Sequence, residues 1–214
     1  MAVVDVSFNV VGDVIPADHG YALLSAVSEI VPEVHGDNAV GIHPIPGTLT
    51  GNRTLALTDR SRLVIRIPSE RLPQILPLAG KRLRIGEHGL GIGVPTTHAL
   101  KPKARLYSRL VVIKGFLEPE PFLQAAGRQL EDLGIKGGAH LVAQPQVVQA
   151  NKGKSTGSRS PFLRRTVRIR DKEVVGFALN VEGLTAEESI LLQERGLGGR
   201  RRFGCGVFVG ARGE

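Results

Sequence analysis

Six histidines are the side chains best suited to chemistry in this 214-residue chain. Histidine titrates near neutral pH and can therefore act as a general acid or a general base. His35 follows a predicted helix, and His43 lies in the segment Gly-Ile-His-Pro-Ile-Pro-Gly, so a loop could present either imidazole. His88 falls in a predicted hairpin turn and His140 in a predicted strand, which indicates surface and structural roles. Single-histidine chemistry suits RNA cleavage, because the 2′-hydroxyl is a nucleophile already present in the substrate.

Metal and nucleotide cofactors are disfavoured by the sequence. No two histidines have the spacing of a metal site such as His-Glu-x-x-His, and the lone cysteine, Cys205, excludes a thiolate zinc site. Gly153-Lys154-Ser155 resembles the end of a phosphate-binding loop, but Val148 stands where that motif needs its first glycine. We therefore expect no metal and no cofactor.

The basic residues are concentrated in the later part of the chain. Residues 1–80 hold five arginines, no lysine and eight acidic residues, a net charge of −3. Residues 81–214 hold 23 basic and 12 acidic residues, a net charge of +11. A basic surface of this kind favours a nucleic-acid partner, since each neutralised phosphate releases condensed counterions. Basic residues that only promote solubility are the alternative.

A glycine-rich loop with three consecutive arginines lies near the C-terminus. Residues 196–206 read Gly-Leu-Gly-Gly-Arg-Arg-Arg-Phe-Gly-Cys-Gly, between a predicted helix and a predicted strand. Glycines allow positive φ and let a phosphate approach backbone N–H groups, and the arginines supply charge. A structural loop with solvated arginines is the alternative. The predicted RNA contacts in this loop are Gly196, Gly198, Gly199, Arg200, Arg201, Arg202, Gly204 and Gly206.

A second basic segment, Asn151–Arg170, contains no acidic residue. Its first part is rich in glycine and serine, which predicts a loop that becomes ordered on an RNA strand, with a solvated loop as the alternative. Tryptophan is absent and only two tyrosines are present, so backbone contacts should outweigh base stacking. The predicted RNA contacts in this segment are Lys152, Lys154, Arg159, Arg164, Arg165 and Arg168.

The elements that must position these residues alternate between strands and helices. In the first half, apolar periodicity predicts strands over 2–11, 54–57, 62–67, 81–85 and 90–94, with helices from an N-cap at Asp18 to Pro32 and from Ser69 past Leu76. Strands 54–57 and 62–67 are expected to pair with each other. In the second half, it predicts strands over 105–116, 141–148, 163–181 (folding back at 170–172) and 203–209, with helices over 121–133 and 186–194.

Each half therefore has the order β-α-β-β-α-β, when the hairpin over 81–94 and the folded-back segment over 163–181 are each counted once. This order predicts an α+β protein of two tandem ferredoxin-like domains, residues 1–98 and 104–214, with the glycine-rich loop in the second. Each domain should hold a four-stranded antiparallel sheet with its helices on one face. The sequence has no run of 18 apolar residues and no secretory signal pattern, so we expect a cytoplasmic protein with no membrane partner.

Three segments carry a resemblance to a known family. They are the stretch from Leu184 to Gly206, the stretch Pro16-Ala-Asp-His-Gly-Tyr-Ala-Leu-Leu-Ser-Ala, and Gly41-Ile-His-Pro-Ile-Pro-Gly47. The first resembles the glycine-rich loop of the repeat-associated proteins of CRISPR systems. Together they resemble the MYXAN-type subgroup of the CRISPR precursor-RNA processing endoribonucleases, the Cas-six group. The resemblance covers essentially the whole chain.

The resemblance implies a metal-independent endoribonuclease that binds CRISPR repeat RNA and cuts it once per repeat. The 2′-hydroxyl attacks the adjacent phosphate and leaves a 2′,3′-cyclic phosphate and a 5′-hydroxyl. His35 is the best match to the family histidine, Tyr21 to its companion tyrosine, and His43 is the reserve. In one common family pattern a lysine follows the histidine closely, whereas this chain has no lysine before Lys81. Arg53 or another arginine would then have to stabilise the phosphorane charge.

The implied partners are CRISPR repeat RNA or mature crRNA and other subunits of CRISPR effector complexes, with no DNA. A non-catalytic RNA-binding subunit of such a complex is the alternative, since the glycine-rich loop and the basic half would serve it equally well. A general RNA chaperone has only the charge in its favour. Among these classes, only His35 and His43 favour an enzyme.

Overall fold

The computed structural model describes residues 2–144 and 161–211 of the chain. These residues form two five-stranded sheets and one small three-stranded sheet, and all of the strand pairs between them are antiparallel. The mixture of helices with antiparallel sheets confirms the predicted α+β class. The prediction of four strands in each main sheet was wrong, because each sheet gains one further strand.

The first half is built on a sheet with the strand order β3-β6-β1-β8-β7. The strands and helices of this half are β1 (Val3–Val11), β2 (Val14–Pro16), α1 (Gly20–Ile30), β3 (Gly41–Ile42), β4 (Thr48–Leu49), β5 (Thr54–Ala56), β6 (Arg62–Pro68), α2 (Leu72–Ile75), β7 (Arg82–Ile85) and β8 (His88–Ala99). Short 3₁₀ turns at Pro32–Val34, Ser69–Arg71 and Leu76–Leu78 extend or follow the helices.

The core of the first half follows from two periodicities. Val6 and Phe8 alternate along β1 with less buried neighbours, as expected for a strand with one buried face. Leu24 and Val27 lie on the stripe of α1 that enters the same core.

Two details of the first half differ from the prediction. β5 pairs with β2 and β4 in the three-stranded sheet, and the short β3 takes the predicted place beside β6. Asp18 does not cap α1: the N-cap residue is His19, without a side-chain cap, and the Asp18 carboxylate accepts a hydrogen bond from the Arg168 N–H instead (2.7 Å).

The second half is built on a sheet with the order β10-β12-β9-β13, and β11 pairs with β12. Its elements are β9 (Arg105–Val111), α3 (Pro119–Asp132), β10 (Gly138–Leu141), β11 (Arg164–Ile169), β12 (Lys172–Glu182), α4 (Ala186–Arg195) and β13 (Val209–Gly210). A capping box at Thr185 and Glu188 begins α4. A separate core lies between this sheet and α3 and α4, and it includes Phe122 and Phe177.

Three predicted boundaries in the second half need correction. The predicted strand over 203–209 is mostly loop, with a 3₁₀ turn at Arg201–Phe203 and only two residues in β13. The predicted strand over 105–116 ends at Val111, and a bulge between Ser108 and Val111 shifts the register of β9 against β12. The predicted strand over 141–148 ends at Leu141, and residues 145–160 lie outside the described part of the chain.

The two halves meet along α1, β11 and the glycine-rich loop. A small cluster of Leu110, Val112, Val167 and Cys205 is buried there, with Phe203 packed against it. Burial raises the pKa of the Cys205 thiol to about 12, so it stays protonated at neutral pH. Across residues 2–144 and 161–211, no helix has both the length and the apolar character needed to cross a membrane.

Candidate active site

A cleft of about 720 Å³ lies between α1 and the turn of the β11–β12 hairpin. Both Tyr21 and His35 line it, so the fold brings together the two residues that the family resemblance singles out. The wall formed by α1 also includes Ser25, Ser28 and Glu29, and the opposite wall is formed by residues 169–172 and Phe203.

Close packing fixes the position of Tyr21. A Cβ on Gly20 would lie 2.7 Å from the carbonyl oxygen of Phe203, so only glycine lets α1 begin this close to the glycine-rich loop. The Tyr21 ring stacks on the Phe203 ring, with 6.3 Å between centroids and 7° between planes. The tyrosine remains 37% exposed, which leaves it accessible from the cleft.

His35 is presented by the short 3₁₀ turn that follows α1. Pro32 begins this turn, and Val34 is fully buried in the core beneath it. The His35 N–H donates to the carbonyl oxygen of Pro32 (3.0 Å), which closes the turn, and the imidazole is exposed. The buried Val34 thus anchors the chain one residue before His35 and holds the exposed imidazole at the cleft.

Two cations that the sequence prediction did not assign to catalysis also line the cleft. Arg170 and Lys172 come from the β11–β12 turn in the second half of the chain. Arg53, the cation considered from the sequence, lies in the exposed turn between β4 and β5 and is not among the residues that line this cleft. No sequence pattern could have joined residues 170–172 to His35, because only the packing of α1 against β11 brings them together.

His43 occupies a different environment. Its Nε2 lies 3.4 Å from Oδ1 of Asp5, and its side chain is 13% exposed. Burial lowers its pKa, against the opposing effect of Asp5, so the imidazole is neutral at neutral pH. His43 does not line the cleft of Tyr21 and His35. Its surroundings therefore favour a structural role over the reserve catalytic role.

Arg66 joins Asp5 to the second half of the chain. Its Nε and Nη2 donate to the two carboxylate oxygens of Asp5, both at 2.8 Å, and Nη1 donates to the carbonyl oxygens of Gln193 (3.0 Å) and Phe208 (2.7 Å). Burial alone would raise the pKa of the Asp5 carboxyl, but the hydrogen bonds from Arg66 and the nearby His43 imidazole hold it well below its usual range. An ion pair between the buried Arg66 and the partly exposed Asp5 thus fastens the first sheet to the end of α4.

Arg201 has a similar structural setting. Only 8% of it is exposed, and it donates to the carbonyl oxygens of Glu194 (2.7 Å) and Gln193 (3.3 Å) at the end of α4. Burial and the nearby Arg66 lower its pKa to about 10, so it remains charged. This placement does not fit the prediction that Arg201 contacts RNA, because its guanidinium is directed into the protein.

Most glycines of the glycine-rich loop are required by packing within the protein. Gly196, Gly198 and Gly206 have positive φ, and an added Cβ on each would overlap a backbone carbonyl oxygen. Gly204 also has positive φ and lies against Pro44, 2.8 Å from where a Cβ would stand. Gly199 is different, since open space surrounds its Cα. The alternative of a structural loop, in which glycine is needed for packing within the protein, therefore explains four of the five glycines.

The exposed cations of the glycine-rich loop and of β11 form the accessible basic surface. Arg200 is exposed, with a left-handed backbone (φ 68°), and Arg202 is half-buried. Arg164 and Arg168 are exposed on one face of β11, and Arg164 lies over the Phe177 ring at 5.6 Å. Lys152, Lys154 and Arg159 lie outside the described residues.

Arg165 faces a second cleft of about 380 Å³ between the two halves. Tyr107 and Arg109 line it from the second sheet, and His19 and His43 from the first half, with no acidic residue among its described lining. His19 is structural: its Nδ1 lies 2.9 Å from the Pro16 carbonyl oxygen, and its Nε2 accepts the Ile45 N–H (2.9 Å). The sequence analysis assigned no role to either His19 or Arg109.

No three His, Cys, Asp or Glu side chains gather into a group suited to a metal ion within residues 2–144 and 161–211.

Comparison with known proteins gives one consistent result. The family model described as Cas6 Crispr matches residues 4–213. The CRISPR-associated endonuclease Cas6 of Myxococcus xanthus (strain DK1622) is 37% identical over 209 residues, which cover 98% of this chain and 82% of that protein.

Two solved structures are similar over nearly their whole length. One, titled as the characterization of a Cas6-related gene from Pyrococcus furiosus, has a TM-score of 0.65 at 13% identity and covers 99% of this chain and 100% of that chain. The other, titled as an RAMP protein binding different RNA substrates, has a TM-score of 0.64 at 13% identity and covers 97% and 98%. At these identities the likeness concerns the fold alone.

Proposed function

The chain belongs to the Cas6 family, and from that premise we propose that it is an endoribonuclease that cuts CRISPR repeat RNA into mature crRNAs. The observation that carries the proposal is the cleft in which Tyr21 and His35 lie together in a chain of this family. A purely RNA-binding subunit would have no need for an exposed, anchored imidazole in the same cleft as a stacked tyrosine.

The proposed reaction is an in-line transesterification without a metal. His35 removes the proton from the 2′-hydroxyl, and the 2′-oxygen attacks the adjacent phosphorus. The bond from phosphorus to the 5′-oxygen breaks, and the 5′-oxygen leaves with a proton, for which we assign Tyr21 as the donor. The products are a 2′,3′-cyclic phosphate and a 5′-hydroxyl. The stacking of Tyr21 on Phe203 supports this role, because it limits the orientations open to the phenol.

We propose that the RNA backbone approaches along the exposed face of β11 and the tip of the glycine-rich loop. The exposed Arg164 and Arg168, together with Arg200, support this path, and the open space at Gly199 would admit a phosphate. Lys152, Lys154 and Arg159 stay predicted contacts. Arg165, with Arg109, would hold a further part of the strand in the second cleft.

We further propose that residues 1–98 and 104–214 are two ferredoxin-like domains. In that fold the first strand lies between the third and the fourth, with the second strand outside the third. The orders β3-β6-β1-β8 and β10-β12-β9-β13 support this arrangement, with β7 and β11 as additional strands. We place the protein in the cytoplasm, with crRNA and CRISPR effector subunits as its partners.

The proposed chemistry is tested with two synthetic repeat RNAs in chelator. The all-ribose RNA should be cut at one position, with a cyclic phosphate on the upstream product. An RNA with a single 2′-deoxy nucleotide just upstream of the cut should bind equally well and remain intact. Cleavage of the deoxy substrate would show that water is the nucleophile and would refute the mechanism.

A further inference from the structure

Among the described residues of the first half, no lysine or arginine lines the cleft. The residues that α1 and the following turn contribute are Tyr21, Leu24, Ser25, Ser28, Glu29 and His35. A transesterification places additional negative charge on the phosphate oxygens in the transition state, and a fixed cation stabilises that charge. Because Glu29 also lines the cleft, the first half alone would disfavour the binding of a phosphate there. A cation from another element is therefore needed.

The turn of the β11–β12 hairpin supplies two such cations. Ile169 pairs with Lys172, so the turn consists of Arg170 and Asp171 alone. Residues directly opposite in an antiparallel pair share one face of the sheet. Since Ile169 lines the cleft, Lys172 faces it as well, and Arg170 lines it from the turn.

The hairpin is fixed relative to the helix that carries Tyr21. The Arg168 N–H donates to the Asp18 carboxylate just before α1 begins (2.7 Å), and Val167 is 96% buried in the cluster where the two halves meet. Ile169 also packs against that cluster. The turn is therefore held beside α1 and is not a free tip that swings in solvent.

The backbone of the turn supports a role for the Arg170 side chain. Arg170 has φ 54°, a left-handed conformation in which glycine or asparagine is much more common. An arginine there strains the turn, and strained residues concentrate at sites where the side chain has a task. Within residues 2–144 and 161–211, neither Arg170 nor Lys172 forms an ion pair, so both charges are available to a ligand.

We propose that Lys172 is a catalytic residue that contacts the scissile phosphate, with Arg170 beside it in the turn, and that this pair replaces the lysine missing after His35. This inference rests on the proposed function. The site thus takes its base from the first half of the chain and its cation from the second, so it is complete only when the two halves are packed together.

The test uses the full-length protein, all-ribose repeat RNA and single-turnover cleavage at saturating protein. Lys172→Ala should slow cleavage by about 10-fold to 100-fold, less than for a fully enclosed donor because the turn is exposed. Lys172→Arg should restore most of the rate, since the charge is kept. Lys136→Ala, which removes an exposed lysine of the second half outside the cleft, is the matched control and should cleave normally.

A second variant separates the side chain from the fold of the turn. Arg170→Gly removes the cation and relieves the left-handed strain, so the melting temperature should rise or hold while the cleavage rate falls. A purely structural role for this turn would move the two quantities in the same direction. Asp171→Asn removes the acid between the two cations and should leave cleavage unchanged or faster.

The outcomes discriminate between this inference and the proposed function. Normal saturated rates for both Lys172→Ala and Arg170→Gly, in a preparation whose wild type cleaves, would overturn the inference and leave the proposed function standing. If both variants bind the 2′-deoxy RNA more weakly but cleave at an unchanged saturated rate, the inference is also overturned, since the two cations would then contribute to RNA binding and not to catalysis. A wild type that binds repeat RNA and never cleaves would overturn both.

Discussion

Asp5→Asn removes one charge from the buried pair that fastens the two halves of the chain. The substitution keeps the size of the side chain. The amide can accept one hydrogen bond from Arg66, but its NH₂ group then faces the second guanidinium N–H, donor against donor. Arg66 keeps its two bonds to the carbonyl oxygens of Gln193 and Phe208, yet its charge is left without a partner.

The exposure of the two side chains sets the magnitude. Arg66 is 1% exposed, so water cannot solvate the uncompensated guanidinium, whereas Asp5 is 20% exposed. Removing one partner of a buried pair costs about 3–5 kcal/mol, and the partial access of water to Asp5 places this case at the lower end, about 3 kcal/mol. For a chain of this size that corresponds to a fall of about 6–12 °C in Tm.

The assay is urea unfolding at pH 7 and at a series of lower pH values. The folded-state pKa of Asp5 lies below its ordinary value of 3.8, so its contribution is fully present above that value. The contribution is lost as the pH falls, because the wild type must then bind a proton on unfolding. The difference between wild type and variant should therefore be largest at neutral pH and narrow steadily below about pH 4.

Asp59→Asn, which alters an exposed carboxylate, is the control and should change the free energy of unfolding by less than about 0.5 kcal/mol. An Asp5→Asn protein as stable as the wild type at pH 7 would contradict the reasoning. So would a difference in stability that does not depend on pH.

Three further outcomes are expected. Arg201→Ala should lower the free energy of unfolding by about 1–3 kcal/mol, because the Glu194 carbonyl oxygen loses its donor and Gln193 keeps only Arg66, and should leave the salt dependence of RNA binding unchanged. A flatter salt dependence would instead indicate a phosphate contact. Alanine at both Arg164 and Arg168 should flatten the log–log salt dependence by about 1.4, and an unchanged slope would move the RNA path off β11. Gly206→Ala should lower Tm strongly, whereas Gly199→Ala should leave Tm unchanged and weaken RNA binding. Equal melting temperatures for the two variants would contradict the packing argument.

Local patterns predicted much of the fold from the sequence. The alternation along residues 3–11 and the apolar stripe of residues 20–30 depend on near neighbours, so β1 and α1 could be predicted closely. The pairing of β6 with β3 could not be predicted, because a strand of two residues is too short to show a periodicity of its own. The prediction of the final strand was wrong for a related reason. Residues 203–208 are mostly buried because they fill the junction between the halves, and a buried loop has a sequence pattern similar to that of a buried strand.

The candidate site was predictable only where one element carries it. Tyr21 and His35 lie on α1 and the turn after it, so a short motif could identify both. Arg170 and Lys172 reach the same cleft through tertiary packing, which leaves no trace in residue spacing. The burial of Arg201 could not be predicted either, because the residue type alone does not distinguish an arginine bound to carbonyl oxygens from a solvated one.

The measurement that tests the central claim most directly is the single-turnover cleavage rate of His35→Ala in chelator. A positioned general base contributes about 10²–10⁴ in rate, so the variant should be slower by that factor. Its affinity for 2′-deoxy repeat RNA should stay within a few fold of wild type, since no phosphate contact is lost. His35→Ala cleaving at the wild-type rate, with His43→Ala inactive instead, would contradict the assignment of the base to the cleft of Tyr21.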